Sequence, residues 1–89
     1  MQDLYVYSVF DQKAEIYNTP VFQMNDAVAE RAFYYGVKNG DLGFAEDFIL
    51  VRIGKFDAEK GSIEPENGYV VCKGLEIKAQ LEKENASKD

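Results

Sequence analysis

Histidine and tryptophan are absent from this 89-residue chain, which has one cysteine, Cys72, and two prolines. A single cysteine cannot form an intrachain disulfide, and without histidine an ordinary zinc site lacks its usual ligands. General acid–base catalysis would fall to carboxylates, lysine or tyrosine, and a nucleophilic Cys72 or serine would have no obvious base. We therefore expect a protein that is not an enzyme and that needs no metal and no cofactor.

Long apolar runs are also missing, and no segment approaches the length needed to cross a bilayer. Residues 1–10 have neither the basic start nor the apolar core of a signal peptide. One unpaired cysteine suits a reducing environment inside a cell. We therefore expect an intracellular protein without a membrane partner.

Acidic residues outnumber Lys and Arg by 16 to 10, which gives a net charge of -6. This balance argues against a protein held on nucleic acid by charge alone, because nonspecific affinity comes mainly from neutralised phosphates. A local basic patch and a protein partner both stay open. A chain of this size buries only about 60 to 65% of its unfolded surface, so we expect oligomerisation to add stability.

Residues 4–10 and 48–56 are rich in aromatic and β-branched side chains and predict strands. Strand alternation predicts that both faces of each are apolar. In residues 4–10 one face has Leu4, Val6, Ser8 and Phe10, and the other has Tyr5, Tyr7 and Val9. In residues 48–56 one face has Ile49, Val51 and Ile53, and the other has Phe48, Leu50 and Phe56 with Arg52 among them. Such strands are normally covered on both sides. One helix covers one side, so the C-terminal segment or another subunit must cover the second.

The clearest helix spans residues 25–39, with Asn25 or Asp26 as its cap and Asn39-Gly40 as its left-handed stop. Gly36 inside it predicts a close approach of the helix backbone to the sheet. Shorter strands are expected at residues 21–24, 62–65 and 69–72, the last after a turn at 66–68. Residues 75–84 alternate like a strand but have helix-forming composition, and we slightly favour the helix.

The sequence thus predicts an α+β fold, a small and mainly antiparallel sheet of four or five strands with the 25–39 helix packed on one face. A short C-terminal helix is the favoured alternative for the tail. We expect residues 1–84 to form one compact domain and residues 85–89 to be disordered. The second sheet face is predicted to be a homo-oligomer interface.

Two segments, SVFDQKAEIY at 8–17 and GKFDAEKGSI at 54–63, repeat a Phe-Asp pair followed by a charged cluster. The segment that starts at Asp57 does not match an EF-hand calcium loop, because that loop needs Gly at its sixth position and Gly61 is at the fifth. We interpret Asp11 and Asp57 as the residues that begin turns. The other carboxylates considered for chemistry also lie in predicted turns, where solvated carboxylates are ordinary: Glu15, Glu46, Asp47, Glu59.

Nucleic-acid binding is the remaining chemical interpretation of single residues. Tyr5 and Tyr7 could stack unpaired bases on a sheet face. The candidate phosphate contacts are Arg31, Lys38, Arg52, Lys55. The alternative is that the tyrosines are half-buried core or interface residues, which is the commoner situation.

Three segments in order, YSVFDQKAEIYNTPVF, AERAFYYGV and EDFILVRIGKFDAEKGSIEP, resemble the small nonstructural protein of gokushoviruses, a microvirus group of single-stranded DNA bacteriophages. The resemblance covers roughly residues 4–65. The matching positions are Asp11, Lys13, Ala14, Pro20, Phe22, Arg31, Phe33, Glu46, Asp47, Phe48, Gly54, Phe56, Asp57, Gly61.

The resemblance implies a phage nonstructural protein made in the host cell cytoplasm. Its implied role is an accessory one in single-stranded DNA genome synthesis or in coupling that synthesis to packaging, and it brings no catalytic residue set. The expected partners are further copies of the chain and single-stranded DNA or the replication and packaging complex. The alternative is an acidic adaptor that binds a phage or host protein without contacting DNA.

Overall fold

The structure, a computed structural model, describes residues 4–86 and has an α+β architecture, as expected. A short 3₁₀ turn, Ala45–Asp47, precedes the fourth strand. The elements are β1 (Leu4–Asp11), β2 (Ile16–Tyr17), β3 (Val21–Gln23), α1 (Asp26–Lys38), β4 (Phe48–Asp57), β5 (Ser62–Lys73) and α2 (Gly74–Ala86).

The five strands form one antiparallel sheet in the order β2-β1-β4-β5. Strand β3 also pairs with β1, on the edge that β2 occupies further along. The longest ladders join β1 to β4 and β4 to β5. The predicted sheet of four or five antiparallel strands is confirmed.

Helix α1 begins where its cap predicts. The Asn25 side chain accepts a hydrogen bond from the Val28 amide at 2.9 Å, which satisfies one of the free N–H groups of the first turn. Ala29 and Phe33 are the buried residues of the helix. Gly36 does not bring the backbone against the sheet, because a Cβ there would meet only the Leu42 side chain, at 3.9 Å.

The C-terminal segment is a helix, so the favoured alternative for residues 75–84 is confirmed. Gly74 starts it against the 3₁₀ turn, where a Cβ would lie 1.9 Å from the carbonyl oxygen of Ala45. Helix α2 continues through Ala86, two residues into the segment predicted to be disordered. Residues 87–89, the rest of that predicted tail, lie outside the described residues.

Both helices pack on the same face of the sheet. The buried cluster under them joins residues of α1, α2 and the three long strands: Tyr7, Ala29, Phe33, Leu50, Cys72, Ile77. Burial raises the pKa of the Cys72 thiol to about 12, as expected for a small core residue. Since α2 joins α1 on one side, the C-terminal helix does not cover the second face.

A bulge in β4 changes which residues share that second face. Val6 pairs with Gly54 and Tyr7 with Arg52, so Ile53 is an extra residue on β4. The insertion reverses the alternation beyond it and places Phe56 on the same face as Val51. The expectation that Phe56 lies opposite Val51 is therefore wrong.

Strand β5 is longer than predicted, because the expected turn at residues 66–68 is absent. Its pairing with β4 continues from Ser62 to Lys73 through two register shifts. Gly68 has φ of +73°, which lets the strand accommodate the irregularity without ending. The predicted strands at 62–65 and 69–72 are thus parts of one edge strand.

The two Phe-Asp segments form matching turns. Asp11 accepts hydrogen bonds from the amides of Lys13 and Ala14, both at 3.0 Å. Asp57 accepts from the amides of Glu59 and Lys60 at 3.0 and 3.1 Å. The interpretation of both aspartates as residues that begin turns is confirmed.

Candidate functional site

A cluster centred on Arg52 ties the first turn of α1 to the sheet. The Arg52 guanidinium makes two hydrogen bonds to Glu66, at 2.8 and 2.9 Å, and lies 3.3 Å from Asp26 Oδ1. Asp26 also accepts hydrogen bonds from the hydroxyls of Tyr7, at 2.5 Å, and Tyr69. We call these residues, together with Tyr5, the Arg52 cluster.

The Arg52 cluster is a closed ionic network. Burial would raise the pKa of Asp26, but the two tyrosine hydroxyls and the guanidinium outweigh it and lower that pKa. Hydrogen bonding to Arg52 lowers the pKa of Glu66, and the same bonds raise the pKa of Arg52. At neutral pH the cluster therefore has two negative charges and one positive charge.

Three of the six predicted nucleic-acid contacts lie in this cluster. The Tyr7 side chain is fully buried, at 0% exposure, so neither face of its ring is open to a base. The Arg52 guanidinium carbon lies 3.9 Å from the ring centre of Tyr5 and 5.1 Å from that of Tyr69. In this arrangement Tyr5 already stacks on a cation and Arg52 is already neutralised by carboxylates.

Of the other three predicted contacts, Lys55 lies beside the cluster, whereas Arg31 and Lys38 lie on α1. Lys55 pairs with Tyr5 across β1 and β4 and lowers the pKa of Glu66 as a lesser contribution. Arg31 and Lys38 are exposed on α1, and Lys38 lies 6.0 Å from the ring centre of Tyr35. Binding of nucleic acid by the six residues stays a prediction.

A second surface, which we call the open face, is the side of the sheet away from the two helices. Paired residues of antiparallel strands share a face, so the register assigns its members. They are Leu4, Val6, Ser8, Phe10, Tyr17, Phe22, Ile49, Val51, Gly54, Phe56, Ile63, Pro65, Val70, Lys73. No element of the described residues 4–86 packs across it as a further layer.

The open face has a floor of small side chains between two aromatic pairs. Val6, Ser8 and Val51 are buried, and the Ser8 hydroxyl donates a hydrogen bond to the Asn18 carbonyl oxygen at 2.6 Å. The Phe10 and Tyr17 rings lie 4.5 Å apart. At the other end the ring centres of Phe22 and Phe56 are 5.6 Å apart, in an edge-to-face arrangement.

The open face is almost uncharged although the whole chain is strongly acidic. Its strand-paired residues include no carboxylate and a single cation, Lys73. Large apolar side chains are nevertheless exposed there, among them Tyr17 at 52% and Ile63 at 55%. A face of this kind favours an apolar partner over solvent.

Sequence reasoning missed the aromatic members of the open face as site residues. Strand alternation already placed Phe10 on the face opposite Tyr5 and Tyr7, and that was the signal that could have drawn attention to it. Phe56 was assigned to the wrong face because the alternation was continued through Ile53, the extra residue of the β4 bulge. Phe22 and Tyr17 lie on very short strands whose pairing partners depend on the fold.

Two structural searches gave negative findings. Within residues 4–86, no group of three or more Cys, Asp or Glu side chains is arranged to hold a metal ion. No helix in that described range is both long and apolar enough to cross a membrane.

Comparisons with known proteins give the family. No curated protein and no solved structure matches the chain. A profile of the family described as Phage ORF5 protein matches residues 4–77, which spans the whole sheet, α1 and the start of α2. The match continues past the segment that resembles the gokushovirus protein and ends at Ile77 in the buried core. The chain therefore belongs to the Phage ORF5 protein family.

Proposed function

We propose that this phage protein is a non-enzymatic accessory protein that acts by binding another protein through the open face. The observation that carries the proposal is an apolar sheet face, without a carboxylate among its strand-paired residues, that neither helix covers. Exposed apolar surface of this extent is typical of protein–protein contacts.

The charge distribution supports a protein partner over a nucleic acid. Nonspecific nucleic-acid affinity depends on cations that neutralise phosphates, and the strand-paired residues of the open face supply only Lys73. The Arg52 cluster lies on the other side of the sheet and has a negative balance. The net charge of -6 would add a general repulsion of DNA.

The phage context of the proposal comes from the family and from the resemblance to the gokushovirus nonstructural protein. We place the binding role in single-stranded DNA genome synthesis or in its coupling to packaging, within the cytoplasm of the infected cell. In this role the protein would act as a binding component of the complex and would not itself catalyse a step.

The test is affinity capture of the tagged chain from infected host cells, followed by identification of the captured proteins. The open-face variant is Phe22→Ser/Phe56→Ser. Its matched control is Tyr35→Ser/Phe44→Ser, which removes two exposed aromatic rings, at 51% and 74% exposure, that lie outside the open face. We expect specific partners to be lost with the first variant and kept with the second. Equal capture by both variants would contradict the proposal.

Binding of single-stranded DNA is the second candidate function, favoured by one observation. The open face presents two aromatic pairs, Phe10 with Tyr17 and Phe22 with Phe56, on an exposed sheet. Aromatic rings on a sheet are a common platform for unpaired bases, at about 1 to 3 kcal/mol per base. The anisotropy of a labelled oligonucleotide, titrated at several salt concentrations, separates the candidates. Salt-sensitive binding that the open-face variant loses would favour DNA.

A further inference from the structure

We infer that the occupant of the open face is a second copy of this chain, in a two-fold dimer that packs sheet against sheet. The inference rests on the proposed function, since it names the protein that covers the same face. Four features of the chain support it: its shape, the area of the face, the charge of the face and its relief.

The single chain has two layers, a sheet and the helices on one of its faces, and no layer on the other face. Its principal extents are 52, 30 and 19 Å, and the shortest matches one sheet with one layer of helices, at about 10 Å per layer. The radius of gyration is 14.4 Å, where a compact chain of this length has about 12 Å. The accessible surface is 6129 Å², against about 5,300 Å² for a monomer of this mass. Both values are those of an elongated chain that exposes one side of its sheet.

The area of the open face is at the lower end of what a specific dimer interface buries. Strands lie about 4.8 Å apart and rise about 3.4 Å per residue, so four strand widths by eight residues cover about 500 Å². Two such faces in contact bury about 1,000 Å² in total, without the extra area of projecting side chains. This buried area reaches the lower limit for specific interfaces. A second copy can therefore cover the whole face.

The charge of the open face permits a second copy of the same chain as its partner. Two molecules that each carry a net charge of -6 repel through most of their surfaces. Contact through the open face brings no strand-paired carboxylates together, because that face has none. The acidic residues of both helices then point away from the interface and keep the dimer soluble.

The relief of the face suits a two-fold contact, in which the same surface meets itself. The aromatic pairs stand above the floor, since Phe22 is 45% exposed while Val6 is 2% exposed. The edge-to-face pair of Phe22 and Phe56 from one copy can pack on the small side chains of the second copy, between the two aromatic pairs of that second copy. Sheets packed in this way lie about 10 Å apart with their strands within about 30° of one another.

The test is sedimentation equilibrium of the wild-type protein over a wide concentration range. We expect a species of twice the 10.1 kDa chain mass that dissociates on dilution. The variant Ile63→Lys places two charges in the contact, and we expect it to raise the dissociation constant by about tenfold or more. Phe44→Ser, on the other side of the molecule, should leave the constant unchanged. Methyl NMR signals of Ile63 and Val70 in the wild type should shift on dilution, which tests the contact without any substitution.

Each other outcome overturns the inference in a recognisable way. A monomer at every concentration that still captures a phage protein through the open face removes the dimer and keeps the proposed function. A monomer whose open face binds single-stranded DNA removes both. A dimer that is unaffected by Ile63→Lys, with no dilution shift at Val70, shows that the copies meet through another surface.

Discussion

Asp26 and Arg52, which are far apart in the sequence, form an ion pair of 3.3 Å between the first turn of α1 and the middle of β4. The same carboxylate accepts hydrogen bonds from two tyrosines, one on β1 and one on β5. One side chain therefore connects the helix to three neighbouring strands. This arrangement holds α1 on the sheet and leaves the opposite face uncovered.

Replacement of Asp26 should measurably destabilise the fold. Asp26→Asn removes the charge that the hydroxyls and the guanidinium share, and we expect a loss of about 2 kcal/mol in the free energy of unfolding. Urea denaturation followed by circular dichroism measures it. Asp41→Asn, at an exposed loop position, is the control and should change the free energy by less than about 0.5 kcal/mol. Equal effects of both substitutions would show that the cluster adds no stability.

Acid should weaken the fold through the same cluster. The pKa values of Asp26 and Glu66 are lowered in the folded chain, so their stabilising contribution is fully present above the unfolded values of about 3.9 and 4.3. It is lost as the pH falls through those values towards the lower folded ones. We expect the free energy of unfolding to be level near neutral pH and to fall below about pH 4.5.

The pH dependence has its own control variant. Glu66→Gln removes one of the two titrating groups, so the acid slope of the unfolding free energy should become shallower while the neutral-pH value drops. Thermal unfolding across a pH series measures both quantities. A slope in the variant as steep as in the wild type would assign acid sensitivity to carboxylates outside the Arg52 cluster.

The two helix glycines should respond in opposite directions to alanine. Gly74→Ala places a Cβ 1.9 Å from the Ala45 carbonyl oxygen, which forces α2 away from the 3₁₀ turn, and we expect a loss of more than about 3 kcal/mol. Gly36→Ala meets only a side chain at 3.9 Å and removes a flexible residue from a helix interior. It should stabilise the chain by up to about 1 kcal/mol. Chemical denaturation measures the free energy of unfolding of both variants. A Gly36→Ala variant that is less stable than Gly74→Ala would contradict the packing argument.

The paired aspartate turns should give small and similar effects. Asp57→Ala removes an acceptor used by two amides, and we expect a loss of about 1 kcal/mol in the free energy of unfolding. Asp11→Ala removes the equivalent acceptor in the other turn and should cost about as much. Any measured catalytic activity that disappears in Asp57→Ala, with the fold intact, would contradict the structural interpretation of this carboxylate.

Local sequence determined much of the secondary structure of this protein. The Asn25 cap, the apolar spacing of α1 and the turns at Asp11 and Asp57 are short-range features, and each occurs where the pattern predicts it. Composition also favoured a helix in the tail over a strand. These predictions succeed because cap and turn hydrogen bonds join residues two or three positions apart.

The tertiary structure alone decided which surfaces are covered. The packing of α2 beside α1 depends on contacts between distant residues, and it leaves the open face without a layer. The extra residue Ile53 moves Phe56 to that face, because the pairing of β4 with β1 decides on which face the strand continues beyond the bulge. The Arg52 cluster likewise joins four elements, and only the tertiary structure brings Tyr7 and Arg52 to the same carboxylate of Asp26.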